Sequence, residues 1–178
     1  MTTLQWSAEL ELGLDYMDDT HREFVDLLAQ TASAPDSHLL AVWQDVIAHT
    51  EEHFGREDKW MQDSAFPPGG CHATEHDAIL QVMREGARRG AAGNLAMVRQ
   101  LARELGVWFA GHAQSMDAAL ALYLKEVGYD EGSGQVARPY VHPVELGDNA
   151  PACGPAPQDA APATEGDSLE VAGAPQLA

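Results

Sequence analysis

Apolar residues recur at three- and four-residue intervals through most of the first 125 positions, a period that predicts helices with almost no strand between them. Asp18-Asp19-Thr20 offers N-cap side chains ahead of Phe24, Val25, Leu27 and Leu28, so a first helix is expected from there to about Ser33-Ala34-Pro35. Pro35-Asp36-Ser37 opens a second, carried by Leu39, Leu40, Val42, Trp43, Val46, Ile47, Phe54 and Trp60. Phe66-Pro67-Pro68-Gly69-Gly70 ends it. A third runs from about Cys71 to Arg89 through Ile79, Leu80, Val82 and Met83, and breaks at Gly90 to Gly93. A fourth is expected from about Asn94 to Lys125. Four helices of similar length with short connections imply an all-α, antiparallel up-down-up-down four-helix bundle over residues 1–125.

Beyond it the pattern stops. Residues 126–178 hold most of the prolines, few large apolar side chains, and nine acidic against one basic residue. Such a segment buries too little surface to offset its chain entropy, and it reads as a disordered acidic C-terminal tail. Tyr140 to Leu146 is its least disordered-looking piece. The whole chain has 28 acidic and 10 basic side chains, a net charge of -18. That balance excludes nucleic acid and anionic membrane surfaces as partners, since both need clustered Lys and Arg. No window approaches the run of about 18 apolar residues that a spanning helix requires. Met1 to Trp6 offers neither a basic nor an apolar leader region, so a cytoplasmic protein is expected. Two cysteines, Cys71 and Cys153, make no disulfide framework.

Candidate chemistry comes from the histidines. His53 and Glu57 are four residues apart on the second helix, and His72 and His76 repeat that spacing on the third, so each pair shares a helix face. On the fourth, His112 and Asp117 are five apart, an offset of roughly 140° on a regular α-helix. His21 stands alone on the first. In a bundle these groups could converge on a metal, although one such pair alone is a weak motif.

Their surroundings carry more. Trp6 and the segments from Gly13 to Phe24, His53 to Met61, His72 to Asp77 and Trp108 to Asp117 together resemble the hemerythrins, in their single-domain bacterial form. All seven ligand positions of that family are filled in order. The resemblance implies two iron ions bridged by an oxo or hydroxo group, Glu57 and Asp117. His72, His76 and His112 would hold one iron and His21 and His53 the other, which keeps an open position for O2. Neutral imidazoles suit iron as borderline ligands, and carboxylates can bridge two hard cations. Carboxylate-rich, oxygen-activating bundles use Glu-x-x-His pairs on two helices, and no such matched pair occurs here.

Reversible O2 binding in a carrier, store or buffer is therefore the expected function, not enzymatic turnover. An O2 or redox sensor acting on a protein partner through the tail, and a peroxide or nitric oxide reductase, are the alternatives. Phe109 stands where the family commonly has Leu facing the open position, and Ala113 replaces a larger aliphatic residue; together they are the expected O2 pocket. His49, one turn before His53, occupies a position where relatives often carry an aromatic. Cys71 reads as a partly buried free thiol, His38 and His142 as surface residues, and Trp43, Trp60 and Trp108 as core.

Overall fold

The computed structural model describes residues 4–138. After a short 3-10 turn at Ala8–Leu10 come α1 (Asp15–Ser33), α2 (Asp36–Ser64), α3 (Gly69–Ala91) and α4 (Leu95–His112). A π-helical turn, Ala113–Asp117, joins α4 to α5 (Ala118–Val127), and the backbone stays right-handed helical through both joints, so the two form one rod. Each helix packs on its neighbour in the chain, and α4 returns to α1, which closes the expected antiparallel bundle.

Three boundaries differ from the sequence reading. The first helix starts at Asp15, a turn before Asp18-Asp19-Thr20, because Asp18 caps from inside the helix. Its buried carboxylate accepts from Leu12 N at 2.7 Å and Gly13 N at 2.8 Å, the amides of the incoming turn. Gly13 lies at φ 70, a left-handed conformation that glycine tolerates.

The fourth helix is not regular. Ala118 N–H bonds to Ala113 O, an i→i+5 contact, and Ser115 Oγ donates to Gly111 O at 2.6 Å, supporting a carbonyl beside the widened turn. A regular helix would hold His112 and Asp117 apart. The wide turn brings them onto one face.

The tail, lastly, does not begin at 126. Helix α5 runs to Val127, and β1 (Tyr129–Asp130) pairs antiparallel with β2 (Gln135–Val136). Tyr129 supplies the anchor that composition hid, donating its hydroxyl to Asp63 Oδ2 on α2 at 3.0 Å. The rest of the proposed tail, with Tyr140 to Leu146, His142 and Cys153, lies outside the described residues.

Two apolar clusters fill the bundle. The larger contains Phe24, Leu28, Trp43, Val46, Phe54, Met83, Val98 and Phe109; the smaller contains Met17, Trp60, Met61, Phe66, Leu120 and Leu124. Trp43 is wholly buried, and its Nε1 donates to Met83 O at 3.1 Å. Gly90 lets α3 approach closely: a Cβ there would meet Leu40 Cδ2 at 2.6 Å and Val98 Cγ2 at 2.7 Å. The seven candidate ligands fall at the junction of the two clusters, His53 and His112 interleaved with Phe54, Phe109 and Ala113 of the larger one.

Asp18→Ala should cost about 2–3 kcal/mol, since hydrogen bonds to a charged acceptor contribute roughly 1.5–3 kcal/mol and two amides lose theirs. Asp18→Asn, keeping one acceptor, should lose less. Urea midpoints at equal metal loading would check the ranking.

Candidate metal centre

All seven polar side chains predicted from sequence meet at one level of the bundle, each at most 3% exposed. His21 comes from α1, His53 and Glu57 from α2, and His72 and His76 from the first turns of α3. His112 and Asp117 flank the π turn. The four- and five-residue spacings thus deliver two donors from each helix but the first.

Two groups form. Donor atoms of Glu57, His72, His76, His112 and Asp117 lie within 4.8 Å of one another, as do those of His21, His53 and Glu57. The carboxylates divide their oxygens between the groups. Glu57 Oε1 is 3.1 Å from His53 Nε2 and 3.8 Å from His21 Nε2, while its Oε2 is 3.3 Å from His76 Nε2 and 3.6 Å from His72 Nε2. Asp117 does the same, with Oδ2 3.4 Å from His21 Nε2 and Oδ1 3.1 Å from both His72 and His112 Nε2.

For His76 an outer carboxylate fixes which ring nitrogen faces inward. His76 Nδ1 bonds to Asp58 Oδ1 at 3.1 Å, whereas His112 Nδ1, 3.5 Å from Glu75 Oε1, makes no hydrogen bond and is placed by its ring contacts. A proton on Nδ1 leaves the Nε2 lone pair pointing at the centre. Glu75 Oε1 also accepts from Trp108 Nε1 at 2.7 Å, and the Trp108 ring stacks on His112 at 4.5 Å. Phe54 stacks on His76 at 3.8 Å with the rings nearly parallel. Rotation of these two imidazoles is thereby blocked.

Electrostatics point the same way. Burial pushes both carboxyl pKa values up, helped for Asp117 by Glu57, yet the surrounding imidazoles outweigh this and hold Glu57 well below, and Asp117 below, its ordinary value. Burial also works against a charge on His112, but the closeness of the Asp117 carboxylate, 3.1 Å away, and its charge prevail and raise its pKa. Ionised carboxylates with inward lone pairs are what a cation needs.

The donor set passes a test of fit. Buried polar atoms ordinarily find partners, yet both ring nitrogens of His21, Oε2 of Glu57 and both carboxylate oxygens of Asp117 lack a hydrogen bond here. The Nε2 atoms of His72 and His76 crowd His112 Nε2 at 3.0 and 3.3 Å, with too few protons available to join three inward lone pairs. A pair of cations resolves both features.

Of the expected pocket residues, Phe109 lies against His21. Phe109, 1% exposed, meets His21 edge-on at 5.0 Å and Phe24 at 4.7 Å, and Ala113 is fully buried within the π turn. His49 is half-buried; burial lowers its pKa, partly countered by a hydrogen bond with Glu23. Trp43 and Trp60 are core as expected. Trp108 is more than core, given its contacts with Glu75 and His112. Cys71 is half-buried but is not a free thiol.

Sequence reasoning missed Asp58 and Glu75. Their only signal was position, Asp58 directly after Glu57 and Glu75 directly before His76, and carboxylates on helices are usually solvated.

A profile described as the hemerythrin HHE cation binding domain matches residues 12–123. A bacteriohemerythrin of Ralstonia nicotianae is 41% identical over 130 residues, covering 73% of this chain and 95% of that protein. Bacteriohemerythrins of Stenotrophomonas maltophilia and Pseudomonas paraeruginosa are 27% and 25% identical over 129 and 122 residues, covering 70% and 66% of this chain and 84% and 79% of theirs.

Loss of an outer carboxylate that orients a ligating imidazole typically lowers metal affinity by about 10–100-fold. Asp58→Ala should fall in that range, and Asp58→Asn, which can still accept from His76 Nδ1, should fall less. Competition with a chromophoric chelator reads both.

Proposed function

The chain belongs to the hemerythrin family, and we propose that it binds O2 reversibly at a diiron centre, as an oxygen-binding protein and not an enzyme. The observation carrying this reading is that Glu57 and Asp117 each turn one oxygen to His21 and the other to the group containing His72. Such sharing suits two cations side by side.

On this reading His72, His76 and His112 hold one iron, His21 and His53 the other, and Glu57 and Asp117 bridge the pair. When bound, two ferrous ions supply the two electrons that O2 accepts on binding and returns on release. The protein contributes position and dryness. Asp58 fixes His76 from outside, and Trp108, itself held by Glu75, stacks on His112; Phe24, Phe54 and Phe109 keep water from the centre. Fewer protein donors gather at the His21 end, and this is where an added ligand fits. Phe109 and Ala113 line that end.

Among the described residues no helix is long and apolar enough to cross a membrane. The sensor alternative relied on the tail, most of which lies outside the described residues.

Optical spectra of the dithionite-reduced protein, with iron quantified, test the proposal. A colourless form that gains a charge-transfer band in air and loses it under argon is expected. A band that persists once oxygen is removed would instead mean oxidation to the ferric state and overturn reversible binding. Glu57→Gln and Asp117→Asn should each bind clearly less iron than the parent chain.

A further inference from the structure

We propose that His49, held by Glu23, is the gate through which small ligands reach the His21 end of the centre, and that Glu23 makes the gate favour neutral over anionic ligands. The inference rests on the diiron reading above and concerns its access route.

Three residues outside the ligand set make ring contacts with His21 or His53: Phe109, Phe54 and His49. Phe109 and Phe54 are 1% and 2% exposed, so neither reaches solvent. His49 does, with 15% of its side chain accessible, while its ring lies 6.2 Å from that of His53. Phe24, itself buried, packs against both Phe109 and His49. Within this wall His49 alone spans from a candidate ligand to the surface.

It is also weakly held. Its Nε2 makes one polar contact, 3.2 Å to Glu23 Oε2, and the Glu23 side chain is 66% exposed. Its Nδ1 is buried with no hydrogen-bond partner. Swinging the ring outward therefore breaks one exposed hydrogen bond, which water replaces, and exposes to water a nitrogen that had no partner. The imidazoles on the opposite side are pinned by stacked rings and carboxylates. The moving part is thus next to the end where ligand is expected.

Glu23 adds selectivity. A carboxylate at the mouth repels an approaching anion through its charge and leaves a neutral diatomic unaffected.

Stopped-flow measurement on the iron-loaded chain would follow O2 association with the reduced form and azide association with the ferric form. His49→Ala should accelerate both by about tenfold, as for removal of a gating side chain. Glu23→Gln should accelerate azide by about fivefold at low salt, with O2 unchanged and the difference lost at high salt. That split is a readout which a merely structural role would not produce. In the zinc-loaded protein, where no redox chemistry occurs, His49→Ala should also speed exchange of the His53 ring protons with D2O. Unchanged rates in His49→Ala, or a Glu23→Gln effect equal for O2 and azide, would overturn the gate. If the parent chain shows no O2 band yet the zinc and azide results hold, the carrier reading fails and the gate stands.

Discussion

Seven buried polar side chains aimed at one another are the constraint around which this bundle is built. Burying a polar group without a partner costs roughly 1–3 kcal/mol by mutational measures, and an unpaired charge costs more. Two apolar clusters above and below deny the layer water. The protein's own hydrogen bonds leave several of its atoms unpartnered. A cation pair satisfies them, so metal binding and folding of the central layer are one process. The clusters at either end fold on ordinary hydrophobic terms; the middle does not.

The layer's asymmetry decides where chemistry can occur. Three imidazoles with both carboxylates crowd one side, and two imidazoles with shared oxygens form the other. The crowded side is fixed from outside by Asp58, Glu75, Phe54 and Trp108. The sparser side faces Phe24, Phe109 and His49, rings whose one carboxylate partner is the exposed Glu23 beside His49. Packing and hydrogen bonds thus hold the donor-rich side more firmly than the donor-poor one.

Much of this was legible in the sequence because helical period and His spacing are local properties. The helix ends at Pro35 and Pro67-Pro68 depend on proline geometry, and the i,i+4 pairs need only a regular helix, so all of these read directly. His112 and Asp117 did not, since a five-residue spacing puts the two apart unless the backbone widens. Ser115 is the local support for that widening, but a serine in mid-helix does not announce a π turn. Asp18 misled for a similar reason. An acidic residue before an apolar run suits an N-cap, whereas here it reaches back from inside the first turn. Tyr129 lay in a segment whose composition hid a single long-range hydrogen bond to Asp63. Asp58 and Glu75 became identifiable only once the imidazoles they face had positions.

The exchange of bulk between positions 109 and 113 follows from the same π turn. A helix that widens just after His112 brings residue 113 into the layer, and Ala113 has no accessible surface there. A larger aliphatic side chain would compete for that space with the aromatic ring at 109. Phe109 packs between His21 and Phe24. The wall is closed at that point, with Phe109 as buried as the core around it. Of the three rings Phe24, Phe109 and His49, the two phenyl groups are buried and His49 has an accessible side chain.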